Sequence, residues 1–318
     1  MVALKGVVLS LAVATSFDNA VSSPAGVCLS TRFQTSPLAP SAAVGALEMN
    51  GSIPQALDVT TAIKNVKLFD VDDGLLKALN KSDTYTVQLE VTNAQLDSIS
   101  VAVSQINKAI QSYSNLHFEI LVGNEPYREK VNPTSLNTAL VHVLNNIPNV
   151  RVSVPFQMSI FATTYPTSSS TFSPEFINAG FMDVVSTLYK YSPRTFFSIN
   201  AYPFFVAGQQ GVTLEQLTGK DMTVLKNMIQ ATNVALGKYN NKTTLDLTLG
   251  ETGWPSDGNQ YANSTLAQAY FQNAYQYLVS QNQVRSWFLF EAFDENNKPG
   301  ANTEKYFGIL KQDGQKKW

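Results

Sequence analysis

Eight short β-forming runs, set tens of residues apart with helix-patterned segments between them, constrain this chain more than any other feature. They fall around Val27 and at 65–69, 86–91, 118–122, 151–154, 197–200, 245–249 and 287–290. Between them apolar residues recur at helical spacing: Ile99, Val103, Ile106 and Ile110, then Leu136, Leu140, Leu144 and Ile147, then Leu225, Met228, Ile229 and Leu236. Strands alternating with helices imply parallel βαβ units, and eight such units predict a single closed (β/α)8 TIM barrel. An open doubly wound sheet is the alternative, but no Gly-rich phosphate fingerprint follows the first strand.

No linker or repeat interrupts the pattern, so one domain is expected over 21–318. The Ser/Thr-rich stretch 163–171 reads as the loop leaving strand 5. Residues 1–16 carry Lys5 and the apolar run from Gly6 to Ala14, the grammar of a signal peptide cleaved between about residues 14 and 20. That run is too short to span a bilayer, which takes about 20 residues, and no later segment reaches that length. Asn-x-Ser/Thr triplets at Asn50, Asn80, Asn241 and Asn263 add candidate glycosylation sites and, with the leader, predict secretion to the extracellular space or cell wall.

Only 14% of residues are charged and the net charge is −2, which offers no footprint for nucleic acid or an anionic membrane. A neutral polar partner and a monomer are expected. Cys28 is the only cysteine and lies in an apolar run, so it reads as a buried thiol with no disulfide partner. With only His117 and His142 besides, neither a metal site nor a cofactor is expected.

Chemistry in such a barrel comes from the C-terminal ends of the strands and the loops after them. Glu125 and Glu251 meet that condition. Glu125 ends strand 4 in Val122-Gly123-Asn124-Glu125-Pro126, and Glu251 ends strand 7 in Gly250-Glu251-Thr252-Gly253-Trp254. The two strands stand on opposite sides of an eight-stranded ring, so the carboxylates can face each other across one mouth. Taken alone, Glu251 could equally be a surface group before a Trp-Pro turn. Glycoside hydrolysis uses a carboxyl pair, about 5 to 5.5 Å apart for retention of configuration and about 6.5 to 9.5 Å for inversion. The sequence leaves that gap open.

Five separated motifs resemble glycoside hydrolase family 17, the β-1,3-glucanases: residues 122–126, 200–205, 250–258, 293–300 and 304–310, in the family's order. The resemblance implies hydrolysis of β-1,3-glucan by double displacement, with Glu125 as acid/base and Glu251 as nucleophile. It also implies supporting roles for Glu295, Lys298 and Glu304, with Lys298 between carboxylates, and a substrate contact for Asn93. Asn124 would donate to the hydroxyl beside the anomeric carbon. Tyr202, Phe205, Trp254 and Phe293 could stack on sugar rings, with core packing as the rival use of each. Glu291 has no counterpart in the motif, and a hydrogen bond lining the cleft is its expected use. The chain departs from the family after strand 1, where it reads Leu29-Ser30-Thr31-Arg32-Phe33, and after strand 2, where Phe69 replaces a Tyr. Linkage and chain-length preference are therefore less constrained than reaction type. Glucanosyl transfer would use the same residues, and a non-catalytic glucan-binding wall protein is the alternative outside enzymes.

Overall fold

The computed structural model describes residues 24–81 and 84–318; the expected leader at 1–16 lies outside the described residues. Nine strand segments form one parallel sheet: β1 (Ala25–Cys28), β2 (Asn65–Leu68), β3 (Tyr85–Val91), β4 (Leu116–Val122), β5 (Arg151–Ser153), β6 (Pro155–Gln157), β7 (Phe197–Asn200), β8 (Leu247–Thr252) and β9 (Ser286–Leu289). Every run anticipated from sequence contains a strand. The additional segment arises where Pro155, which has no N–H to donate, follows the fifth run and starts a second strand that reaches Gln157. β5 pairs with β4 and β6 with β7, while Val152 bridges Thr195 and its N–H donates to Arg194 O at 3.0 Å. The sheet thereby closes, with β5 and β6 serving as one strand of an eight-stranded barrel. Glu251, on β8, belongs to the seventh.

Closure buries both faces of the strands, as the unbroken burial of β8 illustrates. The polar members of each alternation are therefore buried and must pair. Ser153 Oγ donates to Phe196 O at 2.6 Å, and the hydroxyls of Thr248 and Ser286 lie 3.0 Å apart. Glu119 accepts from Gln88 Nε2 at 2.9 Å and from Arg285 at 2.6 Å.

The helices pack their anticipated stripes onto this barrel. Ile99–Ser112 buries Ala102, Val103, Ile106 and Ala109, and Thr223–Tyr239 buries Leu225, Met228, Ile229 and Leu236. Pro133–Asn146 buries Leu136, Leu140 and Leu144; its start is fixed by Asn132, whose side chain accepts from the N–H groups of Thr134 and Ser135. None of the helices among the described residues is long and apolar enough to cross a membrane. The loop 163–171 is closed at its base by an antiparallel bridge between Phe161 and Phe172. Cys28 is buried. The C-terminal stretch is polar in sequence yet well anchored: Lys317 Nζ donates to Asp294 at 2.6 Å and Ser256 Oγ at 2.8 Å, and Trp318 stacks on Phe271. Of the candidate glycosylation sites, Asn50, Asn241 and Asn263 are exposed, whereas Asn80 is half-buried with its Oδ1 accepting from Asn115 N–H.

One irregularity sets up the barrel mouth. Between β7 and β8 the register runs Ile199 to Leu249 and then Asn200 to Glu251, so Gly250 is an extra residue. Neighbouring residues in register share a face of the sheet, which places Glu251 on the face of Asn200 and Leu249 on the opposite one. An added Cβ on Gly250 would lie 2.5 Å from Ser198 Oγ and 2.7 Å from Asn200 Oδ1, so glycine lets these two buried side chains close over the bulge.

Candidate active site

The C-terminal ends of the strands surround a cleft of about 1090 Å³. On its floor lies Glu251, only 4% exposed. Its Oε1 accepts from Lys67 Nζ at 2.6 Å and its Oε2 from the Tyr202 hydroxyl at 2.6 Å. Both donors come from other strands, Lys67 from β2 and Tyr202 from just beyond β7, so closure of the barrel brings this triad together. Burial alone would lower the Lys67 ammonium's pKa, but the carboxylates of Glu251 and Glu90 outweigh it and hold the value above the ordinary one. Burial and the nearby Glu251 charge push the Tyr202 hydroxyl well up, so it stays a donor.

Glu125 borders the same cleft at the end of a tightly specified turn. Gly123 adopts a φ of 71°, and Glu125 itself a φ of 44°, a left-handed conformation uncommon for a non-glycine residue. Asn93 clamps the turn, donating from Nδ2 to Asn124 O at 2.7 Å and accepting from Asn124 N–H at 2.9 Å. The Glu125 N–H donates to Pro155 O at 2.9 Å. Its side chain accepts from Asn200 Nδ2 at 3.2 Å and from Arg128 at 2.9 Å. Burial is the main influence raising the Glu125 pKa and Glu251 adds to it; the hydrogen bonds from Asn200 and Arg128 act against both. The two carboxyls thus occupy unlike surroundings, Glu251 against a buried ammonium and Glu125 biased toward its protonated form.

Most of the residues singled out from sequence border this cleft: Asn93, Asn124, Tyr202, Phe205, Glu295, Lys298 and Glu304. Several are engaged otherwise than expected. Asn93 spends its amide on the Asn124 backbone. Tyr202 holds Glu251 through its hydroxyl. Lys298 stands between Glu291, at 3.3 Å, and Glu295, at 3.5 Å, with Glu304 as a further electrostatic neighbour. Glu295 Oε1 also accepts from Ser30 Oγ at 2.6 Å and Phe33 N–H at 3.2 Å, and Arg32 pairs with Asp70 at 3.2 Å. The two stretches that depart from the family pattern therefore touch each other.

Three expectations need correction. Trp254 is 0% exposed: its indole N–H donates to Tyr261 O at 3.0 Å and its ring packs on Phe204 and Tyr270, so it braces the loop and offers no face to a sugar. Phe293 is likewise fully buried, its backbone bridged to Leu310. Glu291 is fully buried against Lys298 and does not border the cleft. Trp254→Ala is expected to cost about 3 to 5 kcal/mol of stability, read as a lowered unfolding midpoint with a near-normal KM in the variant that remains folded.

Lys67, Glu90 and Arg128 were not anticipated. The polar alternates Lys67 and Glu90 resemble solvent-facing positions of a half-exposed strand, but in a closed barrel they have no solvent to face. That rule would have pointed to them.

Comparison with known proteins agrees with the geometry. The family model for glycosyl hydrolases family 17 matches residues 50–318. A glucan endo-1,3-beta-glucosidase of Nicotiana tabacum is 25% identical over 307 residues, covering 83% of this chain and 84% of the relative. Among solved structures, CJP38, a beta-1,3-glucanase and allergen of Cryptomeria japonica pollen, superposes with a TM-score of 0.73 at 22% identity, covering 92% of this chain and 97% of the other. An active-site mutant of the Rhizomucor miehei beta-1,3-glucanosyltransferase, in complex with laminaritriose, superposes at 0.57 with 19% identity, covering 93% and 96%. These two likenesses speak to fold, whereas the family match spans the cleft residues from Lys67 through Glu304, and on it the chain belongs to glycosyl hydrolases family 17, a family of O-glycosyl hydrolases.

Proposed function

We propose that this protein is a secreted endo-β-1,3-glucanase that hydrolyses β-1,3-glucan with retention of configuration. The observation that carries the reading is the pair of carboxyls bordering one cleft in unlike surroundings, Glu251 held by the Lys67 ammonium and Glu125 pushed toward its protonated form mainly by burial. Glu125 protonates the glycosidic oxygen while a Glu251 carboxylate oxygen attacks the anomeric carbon. The aglycone sugar leaves and a glycosyl ester forms on Glu251. Esterification removes the negative charge that helped hold the proton on Glu125, which then takes a proton from water as that water opens the ester. Lys67 and Tyr202 orient the nucleophile, and Asn200 and Arg128 orient the acid. The relatives' names support the β-1,3 linkage, and the candidate leader and exposed sequons support secretion.

Arg128 offers a pH test. Its guanidinium favours the ionised form of Glu125, so its removal should make Glu125 hold its proton to higher pH. Arg128→Ala is expected to move the alkaline limb of the kcat/KM profile upward; a downward or absent shift would contradict the acid assignment.

Phe205, 53% exposed beside Tyr202, favours a second reading. It offers an apolar face to an acceptor sugar, which could intercept the Glu251 ester before water does. Digestion of β-1,3, mixed-linkage and β-1,4 glucans, with sizing of products from defined β-1,3 oligosaccharides, decides both points. Shorter products from β-1,3 glucan support hydrolysis, products longer than the starting chain support transfer, and no cleavage of β-1,3 linkages sinks the proposal.

A further inference from the structure

The hydrogen bonds of Glu251 and Glu125 account for most of the polar atoms at the centre of the cleft, but not for Glu90. This side chain comes from the C-terminal end of β3, borders the cleft and is 5% exposed. Its Oε2 lies 3.5 Å from Lys67 Nζ, within range of ion pairing, yet the ammonium's short contact goes to Glu251 at 2.6 Å. Oε2 is left buried without a hydrogen bond. Oε2 is closed off behind Lys67, so this one long contact is what the described residues offer the carboxyl, and the part of it that borders the cleft is where a ligand hydroxyl can complete the pairing.

We propose that Glu90 is a specificity-determining residue that contacts substrate, its carboxyl exchanging hydrogen bonds with a ring hydroxyl of the sugar held over Glu251. The inference rests on the glucanase reading. Lys67 ties the two positions together, since its ammonium lies 2.6 Å from Glu251 and 3.5 Å from the Glu90 carboxyl, so a sugar whose anomeric carbon meets Glu251 brings its hydroxyls to Glu90. The chemistry of the group matches. Burial pushes the Glu90 carboxyl up to about 8, with Lys67 opposing and Glu251 reinforcing the rise. At neutral or mildly acid pH it therefore keeps a proton, and a neutral carboxyl has one donor and a free acceptor, the same complement as a hydroxyl. Such a group discriminates steeply, because a sugar lacking the matching hydroxyl leaves a buried donor and acceptor unpaired. The alternative is that Glu90 serves only to balance the charge of Lys67.

Deoxy sugars separate the two. The substrates are an aryl β-laminaribioside and its analogues lacking, one at a time, the 2-, 4- or 6-hydroxyl of the glucose bonded to the aryl group, assayed with the full chain carrying Glu90→Ala or Glu90→Gln. On the parent, Glu90→Ala is expected to lose roughly 10- to 100-fold in kcat/KM, the worth of a hydrogen bond to a polar buried group. On one of the analogues that loss should vanish. Glu90→Gln, which can still donate and accept, should lose less and keep the wild-type order of preference. Should Glu90→Ala not fold, Glu90→Met retains volume without an oxygen and is read the same way. An equal loss on every analogue assigns Glu90 to charge balance and overturns the inference alone, as does undiminished activity on the parent. Failure of the wild type to cleave β-1,3-glucan overturns the glucanase reading and this inference with it.

Discussion

Glu251→Ala is expected to lose hydrolysis of β-1,3-glucan by roughly 10⁴-fold or more, the scale of removing a nucleophile, and to regain turnover of an activated aryl glucoside when azide or formate is added. The surroundings of Glu251 explain why a small anion can substitute. Lys67 Nζ and the Tyr202 hydroxyl, each 2.6 Å from a Glu251 oxygen, remain in place as an ammonium and a hydroxyl donor facing the vacated volume. An anion seated there attacks the same face of the anomeric carbon and yields a glycosyl adduct of inverted configuration. The variant also strips the buried Lys67 ammonium of its 2.6 Å partner, leaving the Glu90 carboxyl 3.5 Å away, and breaking such a buried pair costs up to about 3 to 5 kcal/mol. The unfolding midpoint should therefore fall alongside activity. Rescue by the anion is what separates lost chemistry from lost fold, and its absence in a folded variant would contradict the nucleophile assignment.

Glu125→Gln is expected to split substrates by leaving group. On glucan, whose leaving alkoxide needs a proton, kcat should fall by roughly 10² to 10⁴-fold, while an aryl glycoside with a strongly acidic phenol should lose little in the first step. The amide keeps the shape of the carboxyl and can still meet Asn200, so the turn built on Gly123 and Asn93 is undisturbed. The alkaline limb of the pH profile should disappear with the group that sets it. Equal losses on good and poor leaving groups would remove Glu125 from the acid role.

The strand and helix pattern was legible because each β run is short, apolar and separated from the next by a helix with its own period. Glu125 was legible because it follows an apolar run at the end of a strand, within a motif that resembles the family's. Lys67 and Glu90 were not, because Asn65-Val66-Lys67-Leu68 alternates polar and apolar like a strand with one wet face. Only closure of the sheet turns that wet face into a buried interior, and closure is a property of all the strands at once. The fates of Trp254 and Phe293 were hidden for a related reason: an aromatic near a strand end can turn to the cleft or to the helices, and the packing of Tyr270, Phe204 and Leu310 decides. Glu251 is the sharpest case. Strict alternation through Leu245, Leu247 and Leu249 would put residue 251 on the leucine face, away from the cleft, and only the extra residue reverses it.

That reversal makes the proposed nucleophile a matter of parity. Whether residue 251 looks inward depends on an odd insertion in β8, not on any contact of its own side chain. Pairing Gly250 itself with Asn200 would restore an unbroken ladder and a smoother strand, yet it would turn the carboxylate into the layer between barrel and helices and leave Lys67 facing an apolar wall. In this barrel the more regular backbone would be the inactive one.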